Sequence, residues 1–300
     1  MESAGAPLHP RCAGQIRRPR HQRVIGSGGG CGVEVVTALD CKFCHKQVPK
    51  LVNAHIIPRS LFRAALGQGK SFIHIEVNDA DLDRKFKQTG ISDKTILCEQ
   101  CERFFSPYDT HGFEVVTNLL ATKQIFYDTF GKSFAYISKV ADYRLFKLFV
   151  LSVLWRASVS SLEFFDEIHL GAHEGKIRMM LKNNNAGIED DYSVLCLYQT
   201  DHKYPSTVIP PFQQRIEGGI NFCRLYLPLG LVFLIKVDSR PLPKNLLPWI
   251  VKQNSQTLFQ LFPYSGSYEM QRVESVKVLT KKHLGIPLRT VYRYEKPNLD

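Results

Sequence analysis

Two Cys-x-x-Cys pairs are the residues in this sequence with the clearest chemistry. The first pair is Cys41 and Cys44, and the second is Cys98 and Cys101. Such a pair can hold zinc from one tight turn, and two pairs complete a tetrahedral four-sulfur site that has no open position. We therefore expect a structural zinc ion, for which His45 is an alternative ligand. The remaining cysteines have no partner at a useful spacing and are interpreted as simple thiols: Cys12, Cys31, Cys196 and Cys223.

His55 lies in the apolar segment 51–58 between the two cysteine pairs, where a zinc-bound scaffold could hold it in place. Three acidic residues lie near the second pair, namely Asp93, Glu102 and Asp109. Each residue also has a structural interpretation. A histidine in an apolar strand is usually a core or edge residue. Asp93 suits a turn, Glu102 suits the positive end of a helix, and Asp109 suits a helix cap.

The order of these motifs resembles that of the HNH endonuclease family. The resemblance covers about residues 38–125, and it depends on the combination of four cysteines with His-Ile-x-Pro more than on any single piece. It implies a ββα-metal fold with a structural zinc and a catalytic divalent ion, Mg²⁺ or Mn²⁺. The pieces that carry it are Cys41-x-x-Cys44, Ala54-His-Ile-Ile-Pro58 and Asp93-Lys-Thr-Ile-Leu-Cys98-Glu-Gln-Cys101-Glu102.

The resemblance also implies a role for each matching residue. His55 matches the general base that takes a proton from the water attacking a phosphodiester. Asp93 stands where the family usually has an asparagine that orients the catalytic loop or the histidine. Glu102 stands where the family has a histidine or asparagine that commonly binds the catalytic ion.

The sequence departs from the family pattern at Ala54. The family usually has an acidic residue or a histidine there, which helps to bind the catalytic ion. We expect Asp109 or His111 to supply the missing ligand from the following helix. The distance between the two motifs is also longer than in compact members, which implies an insertion at about residues 62–92.

The charge of the chain favours a polyanionic partner. Its 300 residues have a formal net charge of +11, of which residues 1–37 contribute about +3 from five arginines and two glutamates. A basic protein favours nucleic acid or an anionic membrane, although many proteins of this charge bind neither. We expect nucleic acid, with DNA favoured. Basic residues near the motif suit phosphate contacts and equally suit a solvated rim: Lys42, Lys46, Lys50, Arg59 and Arg63.

Cysteine usage and hydropathy bear on the compartment. Eight cysteines are too sparse for a disulfide scaffold in a chain of this length, and their paired spacing favours metal binding in a reducing compartment. The first residues contain no apolar core of a secretory signal. The longest apolar stretch, 145–155, is interrupted by Lys147 and falls short of the roughly 20 residues that span a bilayer. We expect a cytoplasmic protein without membrane contact.

The predicted fold class is α+β, in three parts. These are a disordered basic tail at 1–37, a zinc-stapled ββα-metal module at 38–125 and a mixed α+β domain of unknown recognition role at 126–300. Helix 142–162 is apolar on nearly every side and should lie at the centre of that domain. Arg156 near its end should cap carbonyls or pair with an acid, with a phosphate as the alternative partner. Further predicted elements are helices at 177–181 and 246–254 and strands at 192–199, 220–227, 231–237 and 271–278.

Three functions from different classes follow. The first is a metal-dependent HNH-type endonuclease, for which defence against foreign DNA is a role implied by resemblance alone. The second is a zinc-knuckle module that binds nucleic acid without cutting it, which Ala54 favours. The third is a protein-interaction role in which zinc only stabilises the fold. Convergence of His55 with acidic side chains favours the first, and their divergence beside a basic face favours the second.

Overall fold

A computed structural model describes residues 38–66, 90–127, 129–131, 133–139, 142–201 and 207–274, and the backbone of 72–77 and 82–87. The predicted tail 1–37 lies outside these residues. The strands are β1 Leu39–Asp40, β2 Gln47–Val48, β3 Ala54–His55, β4 Phe72–Val77, β5 Leu82–Lys87, β6 Ser92–Asp93, β7 Gln124–Tyr127, β8 Ser133–Lys139, β9 Val194–Thr200, β10 Ile209–Ile216, β11 Ile220–Leu227, β12 Leu231–Lys236 and β13 Gln256–Pro263. The α-helices are α1 Arg59–Leu66, α2 Glu99–Thr122, α3 Tyr143–Ser158 and α4 Ala172–Lys182. The 3-10 helices are Glu163–Phe165, Glu217–Gly219, Pro228–Gly230 and Lys244–Trp249.

Seven strands form one sheet in the order β10-β11-β12-β9-β13-β8-β7. Its neighbours are antiparallel except β13 and β9, which run parallel. The predicted mixed α+β class is therefore confirmed. The turn between β11 and β12 puts Leu229 and Gly230 at positive φ, 73° and 75°. This left-handed backbone closes a tight hairpin, as the Pro-Leu-Gly sequence predicts.

Helix α3 lies at the centre of the molecule, as its composition predicts. Every residue of 146–157 is buried. Asp142 begins the helix, because its carboxylate accepts a hydrogen bond from the backbone N–H three residues later at 2.9 Å. Phe146 packs against Phe233 of β12 and Phe259 of β13, with ring centroids 6.1 and 6.4 Å away. One face of α3 therefore covers the sheet.

One hydrophobic core crosses the predicted domain boundary at 125–126. It includes Cys41 and Phe43 from the first cysteine pair, Trp155 of α3 and Phe233 of the sheet. The N-terminal segment thus packs on the same central helix as the sheet does. The boundary itself stays a prediction.

The N-terminal strands are shorter than predicted. The sequence predicts strands at 51–57 and near 95–97, whereas β3 spans only Ala54–His55 and β6 lies earlier, at Ser92–Asp93. These two strands pair antiparallel and are followed by α2. Helix α1 and the β4–β5 hairpin lie between them, and the hairpin falls within the insertion predicted at about 62–92. The segment therefore has the order strand, insertion, strand, helix.

The Ser106-Pro107 sequence predicts a break in the helix that follows Cys101, but helix α2 continues through Pro107 to Thr122. A proline inside a helix costs about 3 kcal/mol. Its neighbours Phe105 and Tyr108 are buried, and the Tyr108 hydroxyl donates a hydrogen bond to the carbonyl of Leu181 in α4 at 3.1 Å. Tertiary packing therefore outweighs the local preference for a break.

The strand predicted at 271–278 is wrong over its described part. Residues 268–274 are helical, and 275–278 lie outside the described residues. Glu269 fixes this helical segment to the sheet. It is 1% exposed and accepts a hydrogen bond from Arg224 Nε of β11 at 2.6 Å. A buried ion pair of this kind is specified by the tertiary fold and not by local periodicity.

Helices α2 and α3 are in close contact at Gly112. A Cβ atom added to Gly112 would lie 2.3 Å from Cγ of Phe149 in α3. Real Cβ atoms do not approach side chains this closely, so an alanine would force the helices apart. Gly175 in α4 has no atom within 4 Å of the same added Cβ.

We expect Gly112→Ala to destabilise the protein by about 1–3 kcal/mol, because overpacking outweighs the better helix propensity of alanine. Gly175→Ala is the control, and it should raise the free energy of unfolding by up to about 1 kcal/mol. Urea unfolding followed by far-UV circular dichroism measures both. Equal stabilisation by the two substitutions would show that α2 and α3 are not in tight contact.

Candidate metal centre and catalytic site

The four predicted zinc ligands lie together. The Sγ atoms of Cys41, Cys44, Cys98 and Cys101 are all within 4.8 Å of one another, and the group could bind a metal ion such as zinc. The first pair lies in the turn of the β1–β2 hairpin. Cys98 is the N-cap of α2, and Cys101 lies in its first turn. The cluster therefore ties a hairpin to the start of the longest described helix.

Local backbone geometry forms the first half of this cluster. The N–H of His45 donates to the carbonyl of Cys41 at 2.8 Å, and His45 itself has a φ of 59°. The N–H of Cys98 donates to Sγ of Cys41 at 3.4 Å. Burial raises the pKa of Cys41, but backbone N–H groups of Cys44, Cys98 and Phe43 outweigh it and lower that pKa to about 7. Burial raises the pKa of the Cys44 and Cys101 thiols, so Cys41 ionises more readily than either of them.

The hairpin docks on α3 through the residues between its cysteines. The Phe43 ring lies 4.9 Å from Phe105 and 5.2 Å from Trp155, centroid to centroid. Lys42 Nζ donates to the carbonyl of Val159 at the end of α3, at 2.5 Å, and Arg178 of α4 donates to the carbonyl of Phe43 at 2.9 Å. Lys42, which the sequence suggests for phosphate contacts, therefore caps a helix instead.

His55 and Glu102 lie side by side, on β3 and in the first turn of α2. Oε1 of Glu102 accepts a hydrogen bond from the His55 backbone N–H at 3.1 Å and lies 3.8 Å from ring Nδ1. Nε2 of His55 and Oε2 of Glu102 are buried without a hydrogen-bond partner among the described residues. Leaving a buried polar atom without a hydrogen bond destabilises the folded state by about 1–3 kcal/mol. Both atoms therefore call for a water molecule, an ion or a substrate group.

Asp109 does not present free oxygens to this pair. Both of its carboxylate oxygens accept hydrogen bonds from the guanidinium of Arg156, at 2.6 and 3.0 Å. Arg156 is fully buried, so this is the acid partner that the sequence suggests for it. Burial raises the pKa of Asp109, Arg156 opposes that rise, and the nearby charge of Glu102 adds to it.

Asp93 lies on the opposite strand but faces away from His55. In the β3–β6 pair, Asp93 is opposite Ala54, whereas His55 is opposite Ser92. Opposed residues share a face of an antiparallel pair and successive residues alternate, so Asp93 points to the other side. Its carboxylate accepts hydrogen bonds instead from Thr95 N–H and hydroxyl, both at 2.7 Å, and from Ser160 Oγ and Ser161 N at 2.8 and 2.7 Å. The catalytic role of Asp93 stays a prediction that this geometry does not favour.

The predicted ligands of a catalytic ion converge only in part. Among the described residues, the four cysteines are the one group of at least three potential ligands whose atoms are all within 4.8 Å of one another. Glu102 is the carboxylate with an unpartnered oxygen beside His55. Mg²⁺ usually takes one or two carboxylates and completes its shell with water and substrate phosphate. Glu102 therefore fits such an ion as a single protein carboxylate, and Asp109 would first have to release Arg156.

His111, the other alternative ligand, lies on α2 and is 9% exposed. Its Nδ1 is 3.8 Å from Oε2 of Glu114, and its Nε2 has no hydrogen-bond partner in the part of the chain that the structure describes. It does not group with His55 and Glu102 as a metal ligand.

Comparisons with protein-family models, with curated proteins and with solved structures find no match to this chain. Among the described helices, none has the length and hydropathy needed to span a membrane.

Cys98→Ser should abolish stoichiometric zinc binding and unfold the N-terminal segment, because structural zinc contributes roughly 10–16 kcal/mol of apparent binding energy. Cys223→Ala removes a buried thiol of β11 outside the cluster and is the matched control. Metal content by atomic emission and thermal unfolding check both variants. Full zinc retention in Cys98→Ser, or zinc loss in the control, would contradict this assignment.

Asp93 should stabilise the fold in a pH-dependent manner. Burial raises its pKa, but hydrogen bonds from Thr95, Ser161 and Ser160 outweigh it and leave the pKa below the usual value. A lowered carboxyl pKa contributes stability above the unfolded value and loses it as pH falls through the folded value.

We therefore expect Asp93→Asn to be less stable than wild type by about 1–3 kcal/mol at neutral pH, with the difference shrinking below about pH 4. Urea unfolding of both proteins across this range measures the difference. Zinc release on acidification affects both proteins alike and cancels in the comparison. A stability difference that does not change with pH would count against the buried carboxylate.

Proposed function

We propose that this protein is a metal-dependent endonuclease of the HNH type, which hydrolyses phosphodiester bonds in DNA. The observation that carries the proposal is the adjacent pair of His55 and Glu102, each with one buried polar atom that lacks a described partner. A base and a carboxylate of this kind match the two groups that metal-assisted phosphodiester hydrolysis requires. The order strand, strand, helix around the four-cysteine cluster supports the same assignment.

The residues divide the chemistry between them. His55 would accept the proton of the attacking water at Nε2, the ring nitrogen without a described partner. Glu102 would hold a divalent ion through Oε2 while Oε1 keeps its hydrogen bond to the His55 backbone. Mg²⁺ or Mn²⁺, when bound there, would supply a Lewis acid next to the scissile phosphate. The cysteine cluster would fix the start of α2, and with it Glu102, which follows Cys101 directly.

The second candidate is a zinc-knuckle module that binds nucleic acid without cutting it. The observation in its favour is the Asp109–Arg156 pair, which engages both oxygens of the second predicted carboxylate. A net charge of +11 suits either function. The two candidates differ in one measurable property, which is turnover in the presence of a divalent ion.

Cleavage of supercoiled plasmid in Mg²⁺ or Mn²⁺ tests the proposal, with an RNA hairpin assayed in parallel. We expect His55→Ala to reduce the cleavage rate by about 10²–10⁴-fold, the usual contribution of a general base. Glu102→Gln should raise the divalent-ion concentration needed for half-maximal cleavage. His169→Ala, at an exposed histidine between α3 and α4, is the matched control and should cleave like wild type.

Zinc content and thermal stability must stay at wild-type values in each variant for the rates to be compared. Undiminished cleavage by His55→Ala would remove His55 from the mechanism. A wild-type protein that binds plasmid in a mobility-shift assay but cleaves neither substrate would leave the binding module as the function.

A further inference from the structure

The backbone N–H and the backbone carbonyl of His55 are both hydrogen-bonded to side chains of other elements. Its N–H donates to Oε1 of Glu102 at 3.1 Å, and its carbonyl accepts a hydrogen bond from Nη1 of Arg156 at 2.6 Å. Glu102 comes from α2 and Arg156 from α3, so two helices fix one residue of a two-residue strand. A strand this short has little ladder pairing of its own. These two contacts therefore determine much of the position of the imidazole.

Arg156 has every donor engaged. Nε donates to the carbonyl of Ser152 at 3.2 Å and one Nη2 hydrogen to its hydroxyl at 3.1 Å. The bidentate pair with Asp109 and the bond to the His55 carbonyl use the other three N–H groups. The guanidinium carbon also lies 5.2 Å from the centroid of the Phe105 ring. This planar fork links β3 to α2, and a lysine ammonium cannot reproduce it.

A second buried charge on α3 makes no such link. Lys147 is 1% exposed, and its Nζ donates to the Tyr143 hydroxyl at 2.9 Å and to the carbonyl of Ile188 at 2.7 Å. In the described part of the chain, neither of these two groups is hydrogen-bonded to His55 or Glu102. Lys147 thus shares the helix, the burial and the charge of Arg156, but not its connection to the candidate site.

We propose that Arg156 is the positioning residue for His55. It holds the backbone carbonyl of His55 at a fixed distance from α2 through Asp109, which keeps the imidazole beside Glu102. The catalytic consequence rests on the proposed nuclease function, whereas the positioning itself does not.

The first experiment measures positioning without activity. In the full chain, NMR amide exchange at His55 reports how often its N–H leaves Glu102. We expect exchange to be at least about tenfold faster in Arg156→Lys than in wild type. Lys147→Met is the matched control, and each protein is measured at the same number of degrees below its own melting temperature. Under this condition, we expect the exchange rate at His55 in Lys147→Met to be near that of wild type.

The second experiment measures the consequence for plasmid cleavage. A displaced base lowers turnover by up to about 10²-fold, while substrate affinity stays within about twofold. We therefore expect Arg156→Lys to lower kcat and not KM, and Lys147→Met to change neither at a temperature where both are folded. If Arg156→Lys does not fold, Asp109→Asn replaces it in both experiments, because it weakens the ion pair that holds the Arg156 guanidinium.

The outcomes separate the two proposals. Equal exchange at His55 in Arg156→Lys and Lys147→Met overturns the positioning role, whatever the activity. Faster exchange in Arg156→Lys supports that role even where wild type shows no cleavage, a result that would end the nuclease proposal alone. A third outcome is that the wild type cleaves, His55→Ala does not, and Arg156→Lys has an unchanged kcat. This outcome would confine Arg156 to a structural role.

Discussion

A charge inside a protein must be paired or hydrogen-bonded, and this requirement determines which parts of the chain pack against α3. The helix has no solvent face along 146–157, yet it includes Lys147 and Arg156. Arg156 turns toward Asp109 and β3. Lys147 turns toward the loop before β9, where it reaches the carbonyl of Ile188, and burial lowers its pKa to about 8. Since a buried charge without partners is costly, the ion pair of Arg156 and the hydrogen bonds of Lys147 each fix a different part of the chain against the same helix.

The hairpin that carries the first cysteine pair also packs against α3. Phe43 places the β1–β2 hairpin against Trp155, and Lys42 caps the end of α3. The second pair fixes the first turn of α2, where Glu102 reaches the backbone of β3. The candidate site thus combines a residue of β3 with a residue from the first turn of α2. Its geometry depends on the cluster and on the buried fork of Arg156 together.

The sequence predicts the parts of this structure that depend on local pattern. The cysteine group follows from ligand spacing, α3 from uninterrupted apolar composition, and β11 and β12 from a period of two around a Pro-Leu-Gly turn. The parts that it does not predict depend on distant contacts. Pro107 stays helical because its neighbours are buried, and Asp93 turns from His55 because the register and the 160–161 loop decide its direction. The sequence also does not predict strands β7, β8, β10 and β13, since β10 contains two prolines and β13 gains its parallel partner only in the folded sheet.

The contact between the β1–β2 hairpin and α3 includes Trp155, so it affects the fluorescence of the protein. The chain has two tryptophans, of which Trp155 is fully buried against Phe43 and Trp249 lies half-buried at the end of a 3-10 helix. Loss of a metal ion bound by the four cysteines would free the hairpin and so remove the Phe43 ring from Trp155. The intrinsic tryptophan fluorescence of this protein would then report metal binding without an added dye or label.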